Sequence, residues 1–129
     1  MENRSILVLD DDIELAILFK MVLQRQGLSV FSFTDPIAAL DHFRANRKNY
    51  SLILTDLRIP GMSGIEFANK IREIDKKVTV WLITAFMMED LQNNEEFISA
   101  KISEVIEKPV SMELLTKLVK SEINNFTNK

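Results

Sequence analysis

Residues able to handle a phosphate group recur in this chain at the ends of short apolar runs. Asp10, Asp11 and Asp12 follow Ile6-Leu7-Val8-Leu9, and Asp56 follows Tyr50 to Thr55. Thr84 closes a branched and aromatic run that begins at Val78, and Lys108 follows Glu104 to Glu107 and precedes Pro109. If these runs are parallel strands, their carboxyl ends share one edge, and carboxylates, a hydroxyl and an ammonium converge in a shallow cleft. Two unit charges about 4 Å apart repel by roughly 4 kcal/mol at an effective dielectric of about 20. Several carboxylates therefore stay ionised together only when a cation joins them or their pKa values rise. Hard oxygen donors with no histidine or cysteine beside them suit Mg2+ or Mn2+. Lys108 supplies a point charge for a phosphoryl group and Thr84 a hydroxyl donor. Such a set suits phosphoryl transfer, in which placement and charge neutralisation do most of the work.

The elements that must position these residues alternate along the chain. Ile6 to Leu9 reads as a strand buried on both faces, as a parallel sheet requires. Ile13 to Gln26 has helical length, with Asp12 placed to cap its start and Gly27 to end it. Leu28 to Phe33 alternates apolar residues with serine and reads as a strand, and Asp35-Pro36 opens a helix running to about Asn46. Tyr50 to Thr55 is a strand and Pro60 to Gly64 a loop; Ile65 to Ile74 is an amphipathic helix and Val78 to Ile83 a strand. Met87 to Ile98 has few apolar anchors for a helix. Glu104 to Glu107 is a last short strand. Ser111 caps a final helix whose expected buried stripe is Leu114, Leu115, Leu118, Val119 and Ile123. Residues 124–129 are expected to fray. Five strands and five helices in alternation predict an α/β fold, a parallel sheet covered on both faces.

Composition narrows the functional classes. At 129 residues and 47% apolar content the chain is one domain with a single core. A formal charge of −3 gives no net field for nucleic acid. No stretch is long and apolar enough to span a bilayer, and no leader-like segment opens the chain. The absence of cysteine excludes disulfide scaffolds and thiol chemistry and fits a cytoplasmic protein. His42, the only histidine, sits mid-helix away from the strand ends and reads as a surface or half-buried residue. Trp81, inside a core strand, reads as packing.

Four segments together resemble the response-regulator receiver domain. Ile6 to Asp12 looks like the acidic-pair strand of that family, and Asp56-Leu57-Arg58-Ile59-Pro60-Gly61-Met62-Ser63-Gly64 is similar to its phosphoacceptor loop. Thr84-Ala85 and Lys108-Pro109 resemble its remaining two motifs, in the family's order and over nearly the whole chain. The resemblance implies a flavodoxin-like three-layer sandwich with strand order 2-1-3-4-5. It implies that Asp56 takes a phosphoryl group from a phosphohistidine. Asp11, Asp56 and the backbone carbonyl of Arg58 would then bind Mg2+, with Asp10 acting directly or through water. Lys108 would pair with the phosphoryl oxygens, Thr84 would hydrogen-bond to them and act as the moving switch, and the Lys108-Pro109 bond would be cis. The implied partners are a sensor histidine kinase or phosphotransfer protein and a downstream target or fused output domain. A phosphorylation-dependent homodimer through the fourth and fifth helices stays open.

The chain also departs from that pattern. The strand-five position where the family places a turning aromatic holds Val105, so the usual coupling to Thr84 is not expected here. The stretch from Thr84 to Lys108 is slightly longer than is common, with Ser99-Ala100-Lys101-Ile102 where an alanine-glycine turn would stand. Arg58 and Phe86 occupy the two positions that tune loss of the phosphoryl group, and their bulk and charge predict no fast self-dephosphorylation. Two other functions compete. An aspartate-based phosphatase would need an acid where Arg58 stands and a substrate cap that this length lacks. A degenerate receiver that binds partners without phosphorylation is favoured only by Val105.

Overall fold

The computed structural model describes residues 5–85 and 91–127. Its centre is a sheet of five parallel strands: β1 (Ser5–Leu9), β2 (Ser29–Phe33), β3 (Tyr50–Thr55), β4 (Thr79–Thr84) and β5 (Glu104–Glu107), in the order β2-β1-β3-β4-β5. Five helices connect and cover them: α1 (Ile13–Gln24), α2 (Pro36–Asn46), α3 (Gly64–Ile74), α4 (Glu95–Ala100) and α5 (Met112–Thr127). The parallel α/β sheet is the one that the alternating pattern predicts, and its strand order is the flavodoxin-like order that the resemblance implies.

Strand alternation divides the core in two. Ile6 and Val8 of β1 face α1 and α5, where they meet Phe19, Leu23, Trp81, Leu115 and Val119. Leu7 and Leu9 face the other way, toward Phe43 of α2 and Phe67, Ala68 and Ile71 of α3. Every residue of β3 is buried, as expected of a central strand in a sheet covered on both sides. The ends of this strand are therefore where it can present polar side chains to solvent.

Side-chain caps fix where each helix starts. Asp12 accepts the amide N–H of Leu15 at 3.1 Å, Asp35 that of Ala38 at 3.0 Å, and Ser63 that of Glu66 at 3.1 Å. Ser111 does the same for Leu114 at 3.2 Å. Each cap satisfies a donor that the first helical turn leaves open, worth about 1 kcal/mol.

Several boundaries differ from the sequence expectation. α1 stops at Gln24, because residues 25–27 tighten into a turn that ends on Gly27 at φ +83°. Of the helix expected over Met87 to Ile98, residues 87–90 lie outside the described residues, and the rest holds a 3-10 turn (Leu91–Asn93) followed by the short α4, which Asn94 caps. Lys101 ends α4 at φ +53°, the left-handed conformation that the expected glycine would adopt without strain. α5 extends to Thr127, past Asn124. Its stripe is narrower than expected: Leu115, Val119 and Ile123 are buried, whereas Leu114 is 50% and Leu118 36% exposed.

Candidate phosphoacceptor site

The sheet register brings the chemistry together. Leu9 of β1 pairs with Thr55 of β3, so Asp10 and Asp56 leave adjacent strands side by side. Their backbones are anchored to the neighbouring strands: Asp10 N–H donates to the Phe33 carbonyl at 3.0 Å, and Asp56 N–H to the Leu9 carbonyl at 2.9 Å. At the far edge Thr84 pairs with Glu107, and the next amide, Lys108 N–H, donates to the Thr84 carbonyl at 2.9 Å. The Lys108-Pro109 peptide is cis, as the resemblance implies.

Lys108 then reaches back across the strand ends. Its Nζ donates to Asp10 Oδ2 at 2.8 Å and to Asp56 Oδ2 at 3.1 Å. The other oxygens of these carboxylates are held by backbone: Asp12 N–H donates to Asp10 Oδ1 at 2.9 Å, and Leu57 N–H to Asp56 Oδ1 at 2.7 Å. Burial opposes the charge on Lys108, but hydrogen bonds and charge from Asp10 and then Asp56 outweigh it and hold the ammonium above its ordinary pKa. Lys108 therefore carries its charge at neutral pH.

Asp11 stands beside this pair and faces solvent. Carboxylate oxygens of Asp10, Asp11 and Asp56 lie within 4.8 Å of one another, a spacing that one cation could bridge. Three carboxylates face one ammonium, so the cluster is net negative before any phosphate arrives. The donors are all hard oxygens and one side is open, which fits Mg2+, an ion that binds through a few carboxylates and keeps positions for water and phosphate. Asp11, Arg58 and Ser63, with Leu57, Ile59 and Pro60, line the cleft next to the cluster.

Of the residues singled out in the sequence, Asp10, Asp11, Asp56 and Lys108 come together directly. Thr84 lies buried at the end of β4 against the Lys108 backbone, and Arg58 lies in the loop beyond Asp56. Val105 is half-buried in a small apolar cluster around Leu57, Ile65 and Leu82, joined by Phe97 of α4. Phe86 lies outside the described residues. His42 is half-buried and shares a hydrogen bond with the Tyr50 hydroxyl, packed against Phe31 and Phe33, away from the strand ends. Thr55 and the backbone amide of Leu57 adjoin the site without a sequence signal, because a residue inside an apolar strand and a main-chain amide leave no mark of their own in a sequence.

The family model of the response regulator receiver domain matches residues 6–120 of this chain. The chain belongs to the receiver-domain family. It is 35% identical over 86 residues to the sporulation initiation phosphotransferase F of Bacillus subtilis, covering 67% of this chain and 68% of that protein. It is 30% identical over 114 residues to the sensor protein EvgS of Escherichia coli, covering 88% of this receiver but 9% of that much longer protein. A solved receiver domain from Clostridium thermocellum superposes with a TM-score of 0.81 at 25% identity, covering 95% of each chain. Receivers are the phosphorylated switches of two-component systems, not enzymes with turnover on a separate substrate. Among the described residues, no helix is long and apolar enough to cross a membrane.

Proposed function

We propose that this receiver accepts a phosphoryl group on Asp56 in a Mg2+-dependent reaction. The observation that carries the reading is the Lys108 ammonium bridging Asp10 and Asp56, with Asp11 adjoining. A carboxylate oxygen of Asp56 attacks the phosphorus of a phosphohistidine on a sensor kinase or phosphotransfer protein. The new O–P bond forms as the N–P bond breaks, and the departing imidazole nitrogen keeps the electron pair and takes a proton from water. Lys108 stays within reach of the transferred oxygens and exchanges part of its contact with Asp56 for them. Asp10 keeps Lys108 in place through that exchange, since its own bond is the shorter. Asp10, Asp11, Asp56 and the Arg58 carbonyl would hold Mg2+, which when bound offsets negative charge on the phosphoryl oxygens.

Thr84 is the candidate reader of the new charge, its hydroxyl turning to a phosphoryl oxygen. Val105 has no ring to swing inward, so the change passes instead through the packed cluster that Val105 shares with Leu57, Leu82 and Phe97 of α4. Output is then binding of a protein partner at the α4 and β5 side. Arg58, beside the open cleft, hinders an attacking water and prolongs the phosphoryl lifetime.

Intact mass after incubation with acetyl phosphate or phosphoramidate, with and without Mg2+, tests the reading. The expected result is a Mg2+-dependent gain of one phosphoryl group that Asp56→Asn abolishes. No gain in a folded wild-type protein would overturn it and leave a binding module that works without phosphorylation, the reading that Val105 favours.

A further inference from the structure

The carboxylate of Asp56 is only as well placed as the peptide that follows it. Leu57 N–H, the donor to Asp56 Oδ1 at 2.7 Å, belongs to the same peptide plane as the Asp56 carbonyl. Turning that plane by a few tens of degrees would swing the N–H away from the carboxylate. Two groups fix the plane from its carbonyl end. The Thr55 hydroxyl, on a residue only 1% exposed, donates to the Asp56 carbonyl oxygen at 3.0 Å. Opposite, Gly64 presses so closely that a Cβ there would lie 2.0 Å from the same oxygen and 2.9 Å from its carbon. Gly64 N–H also donates to the Leu57 carbonyl at 2.7 Å, which closes the loop on itself. Gly64 has an ordinary helical backbone, so the close approach, not a positive φ, calls for glycine.

We infer that Thr55 and Gly64 are positioning residues for the phosphoacceptor: together they orient the Asp56–Leu57 peptide so that Leu57 N–H steers the attacking carboxylate. This rests on Asp56 being the acceptor. Thr55 touches no reacting atom and acts only through the main chain. Strand pattern alone assigns its hydroxyl no role, because position 55 belongs to a strand in which every residue is buried.

Thr55→Ser and Thr55→Ala test this, because both lose the methyl group and differ only in the hydroxyl. Phosphorylation of each full chain by acetyl phosphate with Mg2+ is followed by intact mass, beside wild type and Asp56→Asn. The Leu57 amide is followed by 15N-resolved NMR without metal. Thr55→Ser should keep the wild-type rate and the downfield Leu57 amide proton. Thr55→Ala should react about three- to tenfold more slowly, the rate equivalent of one lost hydrogen bond, with its Leu57 proton moved upfield. Equal rates and shifts for serine and alanine would overturn the inference, whether both match wild type or both fall. Should Thr55→Ala fail to fold, Thr55→Val, which retains the volume, takes its place under the same criteria. Failure of wild type to gain mass would instead count against Asp56 as acceptor, while the metal-free Leu57 shift still reads the peptide orientation.

Discussion

Asp11 differs from its two neighbours in that, among the described residues, no ammonium bonds to it. Lys108 bonds to Asp10 and Asp56 only, and Asp11 faces solvent within 4.8 Å of both. Replacing it by asparagine removes one repelling charge while keeping the side-chain shape. The metal-free Asp11→Asn protein is therefore expected to melt slightly higher than wild type, by no more than about 1 kcal/mol for so exposed a group. Mg2+ reverses the order. A ligand at tenfold its dissociation constant stabilises the folded state by about 1.4 kcal/mol, so Mg2+ should raise the wild-type melting temperature and move Asp11→Asn far less. Melting curves with Mg2+ and with EDTA check both signs. A wild-type curve indifferent to Mg2+ would remove Asp11 from the proposed ligand set.

At the scale of elements, α4 is joined to α3 by polar bonds as well as by apolar packing of Ala100 and Phe97. Arg72 is nearly buried, and its guanidinium donates to the carbonyls of Val78 at 2.7 Å, Ala100 at 2.8 Å and Lys101 at 3.1 Å. Asn69 donates to the Glu96 carbonyl at 2.8 Å and accepts the Ser99 hydroxyl at 2.7 Å. The positive charge sits against the carbonyl end of α4, where a cation is favoured, although burial lowers the Arg72 pKa. Arg72→Met would keep the stem and strand these carbonyls. The expected loss is about 2–4 kcal/mol in urea unfolding, with hydrogen exchange rising first at residues 97–102. A loss below about 1 kcal/mol would mean that water replaces the guanidinium without penalty.

This clamp also marks where the sequence stops being legible. The five strands, the helix starts at Asp12, Asp35 and Ser111, and the cluster of Asp10, Asp11, Asp56 and Lys108 all follow from local rules, because apolar runs end where polar residues begin. α4 does not, since six residues carry too little periodicity to show a face, and long-range bonds from Asn69 and Arg72 hold it. An arginine on an amphipathic helix ordinarily reads as solvated. Leu114 and Leu118 mislead in the opposite direction: helical spacing places them in the stripe, but both are exposed.

For the molecule as a whole, alkaline pH is a second probe of the fold. Tyr50 begins the central strand with its ring among Phe43, Phe31 and His42, and burial raises its hydroxyl pKa far above 10.0. In the unfolded chain that hydroxyl ionises near pH 10, whereas the folded chain keeps its proton. The unfolded state then binds fewer protons, so stability falls as pH rises above about 10 and is unaffected by Tyr50 below it. Urea midpoints between pH 8 and 11 should show the decline, and Tyr50→Phe, which cannot ionise, should flatten it while costing about 1 kcal/mol at pH 8 for the lost bond to His42. An unchanged slope in Tyr50→Phe would assign the decline to other groups.

The lysine bridge also has a consequence in time. Its two bonds join residues 98 and 52 positions apart in the chain, across strands β1, β3 and β5. Parallel pairings of such separation form late, since the loop between them must close before any contact rewards it. A growing chain that has not yet docked β5 holds Asp56 without the ammonium that pairs with it. Under the proposed mechanism, competence to take the phosphoryl group therefore arrives with β5, after the strands that carry the carboxylates.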